Sequence, residues 1–469
     1  MAGLMEKLIE PRDSNFPQFL NQPFRRDNRF SNAALKAMII PLMIEQLLQL
    51  VVGLADTMMV SYAGEATVSG VSLVTMIYTI FIYLFTAVAT GGAVVISQYI
   101  GSRAREQADE AASQMVFLSG TVSIVFMGIM LLAGKNILQL LYPKVESEVM
   151  DACRTYLWIV TFSFPANALY NAGAAIYRAM GRTKVTMKVS IFMNLLNVAG
   201  NAVGIFVLHA GAAGVAWPTT ISWYVASVIM VTWCFHEKSE VTLRLKYLFR
   251  PRGGMLHRIL RVAVPNAAEN TLFQLAKVVL GSLIATFGTA QIAANGIGQT
   301  IWSLAALVSI AMGTVFMTVI GQCIGAGDED AAAYYMVKLT RLSLVLCIAW
   351  NAIVLAVTPL ILPLYDVSAE TKGYVMSIVI IHNCFCAFAQ PFSSSLSSGL
   401  RAAGDVKFTM YASIFCTVVF RTAMSFVLGL WLGLGVIGTS LAMGLDWCLK
   451  GVLDIVRFRN GKWRGRKII

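Results

Sequence analysis

Two carboxylates, Glu45 and Asp56, stand eleven residues apart in the apolar run EQLLQLVVGLADTMM, 45–59. At 100° per helical residue, eleven steps come to about 1100°, or three turns plus ~20°. Both acids and the intervening Gln49 therefore share one face of a helix. A charged aspartate at the centre of a membrane helix costs about 2.5–3.5 kcal/mol, so Asp56 needs a cavity or a partner. Low dielectric disfavours its charged form, and a group so placed can take up and release a proton during a cycle. The competing reading is a protonated acid that bonds two helices together. Asn194, Asn197 and Asn201 recur at i, i+3 and i+7, a second polar stripe on one helix face. An amide both donates and accepts, so this stripe can hold Asp56 in either protonation state; its plainer role is to join helices. Glu269 follows Pro265 by four residues, as Glu45 follows Pro41. Each can face backbone groups freed at a bend. Lys277 lies two turns beyond Glu269 but about 80° around the helix, a poor offset for a direct pair. Gln299, Gln390, Tyr78 and Trp302 are candidates for a cavity wall, although single residues of these types more often serve packing. Arg178 and Arg401, at helix ends, read as topology signals, lipid contacts or partners of terminal carbonyls.

The elements that carry these residues are membrane helices. Hydrophobic residues make up 57% of the 469 and charged residues 13%, against about 25% charged in soluble domains. Twelve spans of roughly 20 residues or more are expected, at 34–62, 69–97, 112–134, 153–177, 185–208, 212–235, 257–287, 291–320, 334–358, 371–399, 407–431 and 435–456. Pro41, Pro165, Pro265 and Pro391 are candidate kink sites. The net charge is +12, and its distribution orients the chain. Twenty-nine Lys/Arg fall in the two tails, in the loops on their side or at the helix ends that flank them; four, Lys135, Lys144, Arg154 and Lys372, fall in or beside the opposite loops. That asymmetry predicts both termini in the cytoplasm of a multi-pass protein of the cell membrane. The basic loops then meet anionic lipid rather than nucleic acid. The first thirty residues lack an apolar signal core. The eight cysteines read as small core hydrophobes, and neither they nor the four histidines show metal-ligand spacing. No metal or cofactor is expected beyond a coupling ion, H+ or Na+.

The chain repeats itself. A shift of 224 residues places Pro41 on Pro265, Glu45 on Glu269, Leu48 on Leu272 and Gly64 on Gly288, and takes SQYIG at 97–101 onto GQCIG at 321–325. A shift of 223 takes RAMGRTKVTMKVSIF at 178–192 onto RAAGDVKFTMYASIF at 401–415. Two parallel six-helix halves related by an axis along the membrane normal are a transporter architecture. The expected layout is a tail at 1–33, an N-lobe at 34–235, a basic linker at 236–256, a C-lobe at 257–456 and a basic tail at 457–469.

With these motifs in order (GLADTMMVSYAG at 53–64, NLLNVAGN at 194–201, PNAAENTLF at 265–273, FGTAQIAANGI at 287–297 and GQCIGAGD at 321–328), the chain resembles the multidrug and toxic compound extrusion transporters along nearly its whole length. The resemblance implies twelve helices in two lobes. It also implies export of amphipathic, often cationic compounds, driven by inward flow of H+ or Na+. By position, Asp56 matches the first-helix aspartate linked to cation coupling. Asn197 and Asn201 match the fifth-helix polar positions beside it, and Glu269 matches the seventh-helix glutamate of sodium-coupled members. Gln390 stands where those members carry an aspartate.

The reading is therefore an all-α secondary active antiporter, working as a monomer and not an enzyme. Its cation-coupling residues are Asp56, Asn197, Asn201 and Glu269; Glu45, Gln49, Asn194, Gln299 and Gln390 line its substrate cavity. No GxxxxGK[ST] loop is present to hold ATP. One rival is a flippase for lipid-linked oligosaccharide, whose cavity needs many cations where only Lys277 and Arg421 lie clearly mid-span. Another is a membrane enzyme, for which no convergent catalytic set is visible.

Overall fold

The structure, a computed structural model, describes residues 29–143, 145–236, 239–365 and 367–469. Most of the tail expected at 1–33 lies outside it. The described residues form α1 (Asn32–Ser61), α2 (Glu65–Gly101), α3 (Arg105–Leu141), α4 (Ser147–Thr161), α5 (Ser163–Ala179), α6 (Thr183–Ala202), α7 (Ala213–Cys234) and the short α8 (Leu245–Leu248). There follow α9 (Gly253–Ala285), α10 (Thr289–Ala305), α11 (Leu307–Gly325), α12 (Glu329–Ile361), α13 (Ala369–Gln390), α14 (Ser397–Ala402), α15 (Val406–Ser413), α16 (Arg421–Ser425) and α17 (Gly435–Arg459). No strand occurs among the described residues, and ten helical segments are long and apolar enough to cross a membrane. Two of the expected spans fall on helices outside that ten. The span at 153–177 is interrupted at Phe162, between α4 and α5, and that at 257–287 lies on α9.

Backbone geometry repeats with the sequence. Left-handed residues occur in pairs at the repeat spacing: Gly64 with Gly288, Arg103 with Gly327, Gly181 with Gly404, His209 with Gly433 and Gly211 with Gly435. Gly64 (φ 101°) and Gly288 (φ 99°) each sit just before a helix, in a conformation that β-carbons strongly disfavour. Wide π-type turns at Val203–Val207 and Phe426–Trp431 end corresponding helices of the two halves. Turn conformation is thus set at equivalent positions of the two halves.

The chain forms two compact units, Ile44–Ala267 and a second made of Met1–Met43 with Ala268–Ile469. Both boundaries fall inside a helix, two residues past Pro41 in α1 and two past Pro265 in α9. Each half thus contributes the first turns of its opening helix to the other unit. In the second unit, Leu35, Met38, Ile39 and Leu42 join a buried core with Val315, Phe316 and Val319. In the first unit, a β-carbon on Gly91 would meet the Ile259 carbonyl at 2.7 Å and the Ala263 backbone at 2.9 Å, so glycine there lets α9 approach α2. The core of the first unit centres on Phe85, Leu138, Leu157 and Phe164, which α2, α3, α4 and α5 bring together. Tyr78 donates to or accepts from Ser163 at 3.0 Å inside this core and is packing, not a cavity wall.

The described part of the basic linker, from 239 on, is docked against α3. Asp109, 2% exposed on α3, accepts from the Thr242 amide at 2.8 Å, the Thr242 hydroxyl at 3.1 Å and Arg244 Nε at 3.0 Å. Arg252 pairs with Glu110 at 3.1 Å, and the Gln114 side-chain amide bonds both the Arg250 carbonyl (3.0 Å) and the Arg252 amide (2.9 Å). The C-terminal tail does the same for the other unit: Gly465 N donates to Glu329 at 2.7 Å, and Arg464 pairs with Asp330 at 2.9 Å. Several cations expected to serve lipid are therefore engaged by acids of the protein itself.

Candidate functional site

In the first unit α1 carries Asp56 and α6 carries the asparagine stripe, and the two helices meet where the stripe predicted. Asn201 Nδ2 donates to Asp56 Oδ1 at 2.9 Å. The Asn197 amide, oriented by its hydrogen-bond network, donates to both Asp56 oxygens at 3.2 and 3.1 Å and accepts from the Thr219 hydroxyl at 3.0 Å. Asp56 is half-buried, with no cation within ion-pair distance among the described residues. Two neutral amides that can turn suit a carboxyl group that changes charge, since each presents either a donor or an acceptor. Asn194 is not part of this set: it donates to Ser190 at 3.3 Å. Gln49 is exposed.

Glu45 is placed differently from Asp56 despite sharing its helix. It is fully buried; Arg178 Nη2 donates to Oε1 at 2.6 Å and Thr186 Oγ1 to Oε2 at 3.0 Å. Its repeat partner Glu269 does the same in the second unit, with Arg401 at 2.6 Å and Lys450 Nζ at 3.7 Å. Arg178 and Arg401 are themselves repeat partners, so each unit holds one copy of the same ion pair. Beside the topology, lipid or carbonyl roles expected of these arginines, each pairs with a carboxylate of its own unit. Glu45 is closed in by these partners and is not in the wall of either cavity described below.

Glu269 also faces a cavity of about 310 Å³, with Gln390, Trp302, Trp447, Asp446 and Lys450 in its wall. Gln390 accepts from Ser309 at 3.3 Å. Asp446 is 1% exposed; Thr417 donates to its Oδ2 at 3.3 Å, and its Oδ1 has no partner. Asp446, Lys450 and the fully buried Asp454 all come from α17 at i, i+4 and i+8. All three lie inside the span expected at 435–456, and their i, i+4, i+8 spacing is the signal that marks them in the sequence. A second cavity of about 200 Å³ in the same unit includes Gln299 in its wall, with Lys277, His382 and Arg421. Lys277 is thus not the partner of Glu269; its Nζ lies over the rings of Phe273 and Trp302, at 4.8 and 6.0 Å. No cluster of three or more metal-ligating side chains occurs among the described residues.

The MatE family profile matches residues 41–203 and 265–427, two stretches offset by the repeat itself. The chain belongs to the MatE family. Its members are multidrug efflux transporters, not enzymes. The uncharacterized transporter YisQ of Bacillus subtilis is 27% identical over 90% of this chain and 93% of its own length. A probable multidrug resistance protein NorM of Thermotoga maritima is 24% identical over 92% of each chain. Among solved structures, an outward-facing multidrug resistance MATE transporter superimposes with a TM-score of 0.86 at 22% identity, covering 96% of this chain and 98% of that one. The MatE halves thus coincide with the repeat that carries Glu45 and Glu269.

Proposed function

We propose that the protein is a secondary active efflux antiporter, expelling small amphipathic compounds by alternating access in exchange for an inward-moving H+. It works as a monomer in the cell membrane, with both termini in the cytoplasm and with lobes at 34–235 and 257–456. The observation that carries this reading is the Asp56–Asn197–Asn201 cluster. A carboxyl group held by neutral amides can gain and lose a proton without leaving a buried cation unpaired. Change of its charge alters the bonding between α1 and α6, which biases the lobe between two arrangements. Glu269 supports sodium less well. Arg401 and Lys450 already occupy its carboxylate, and a hard cation entering there needs several oxygen ligands. Efflux from proteoliposomes under separately imposed gradients tests the ion. Transport is expected with a pH gradient in sodium-free buffer. Strong transport from a sodium gradient at equal pH, with none from the pH gradient, makes sodium the coupling ion.

A further inference from the structure

The cavity that contains Lys277, Arg421 and His382 has a charge opposite to that expected for a binder of cations. No carboxylate is among its lining residues. Arg421, 6% exposed, has one amino group against the Met443 thioether at 2.8 Å, while its Nε has no partner. A thioether is a weak acceptor, so most of the guanidinium's donor capacity is unused. His382 is 1% exposed with neither ring nitrogen hydrogen-bonded, and in either neutral tautomer one nitrogen is a donor. Lys277, on α9, makes ring contacts but has no carboxylate within 4 Å among the described residues. The nearby acid, Asp446, faces the neighbouring cavity and does not reach Arg421 as an ion pair. Asn295 and Gln299 add amide groups to the same wall, and Leu280 and Ile284 add apolar surface.

Asp446 acts on Arg421 only through space; buried or membrane-level cations that no carboxylate pairs directly mark a place for an anion, and the adjoining apolar wall selects one attached to a hydrophobic body. We propose that this cavity binds the anionic head group of an amphipathic substrate, an organic carboxylate, with Arg421 and Lys277 as charge partners and His382 as a neutral donor. The proposal rests on the export reading and refines its substrate class, reversing the charge that the family resemblance implies.

The test is titration calorimetry on the full chain in nanodiscs with three probes of one skeleton: 2-naphthoate, 2-naphthylmethanol and 2-naphthylmethylammonium. Naphthoate is expected to bind at least about tenfold tighter than the other two. Lys277→Gln and Arg421→Gln are each expected to lower naphthoate affinity by about tenfold or more and leave naphthylmethanol unchanged. If Arg421→Gln does not fold, exposed Lys277→Gln carries the test alone. Equal binding of the three probes, a preference for the ammonium, naphthoate affinity unchanged in Lys277→Gln, or inorganic phosphate binding as tightly as naphthoate would overturn the proposal. Binding needs no gradient, so the two readings fail separately. Naphthoate preference without gradient-driven efflux removes the export reading; efflux without that preference removes the anion site.

Discussion

Asp56 and Glu45 share a helix face and a residue chemistry, yet their neighbours give them different work. Asp56 has amides around it and no cation, whereas Glu45 is locked to Arg178. Asp56→Asn keeps the shape and removes the group that titrates. It is expected to abolish gradient-driven efflux while leaving the size-exclusion profile and thermal midpoint near those of the wild type. Undiminished uphill transport in that variant removes Asp56 from coupling. Glu45→Gln removes the carboxylate that pairs with the Arg178 guanidinium, and breaking one partner of a buried pair costs about 3–5 kcal/mol. A lower thermal midpoint is expected, recovered in large part by Glu45→Leu with Arg178→Met, since replacing a buried pair by apolar groups of similar volume is often neutral. A variant Glu45→Gln as stable as the wild type contradicts the structural role.

At the scale of elements, the turns at Gly64 and Gly288 are set by backbone conformation rather than by side-chain contact. A β-carbon on Gly64 or Gly288 would meet nothing within 4 Å, so any cost of alanine there is backbone strain. That region of φ and ψ is nearly reserved for glycine, and occupying it costs about 1–3 kcal/mol. Gly64→Ala and Gly288→Ala are therefore expected to destabilise by similar amounts, read as matching drops in thermal midpoint. A large difference between them means that the two turns are not equivalent. The docked linker follows a different logic. Asp109 is its buried anchor, and Asp109→Ala leaves the Thr242 amide and Arg244 without their acceptor. Limited proteolysis between 236 and 252 is expected to accelerate in that variant, with the helices intact.

At the scale of the molecule, charge distribution sets orientation. The excess of Lys/Arg in the tails and in the loops on their side predicts that both ends are cytoplasmic. Epitope tags at residues 1 and 469 should be cleaved by protease in inside-out vesicles and protected in right-side-out ones. Opposite accessibility of the two tags excludes an even number of crossings, and with it the six-plus-six layout.

What the sequence determined by itself was periodic: the apolar spans, the repeat at 224, the equivalence of Glu45 with Glu269, and the asparagine stripe that meets Asp56. These follow from composition and spacing along one helix, which local physics governs. Only the tertiary structure decided which charges meet. Arg178 and Glu45 are 133 residues apart in the chain and 2.6 Å apart in space. No spacing rule predicts such a pair, because the partner of a membrane charge is chosen by helix packing. The same holds for the cluster of Lys277, His382 and Arg421, which lie on α9, α13 and α16. Read singly, each was an isolated polar residue in an apolar helix. Brought to one cavity whose lining includes no carboxylate, they carry the proposal of an anion site, since the energy of a charge in low dielectric depends on its neighbours in space and not on its neighbours in sequence.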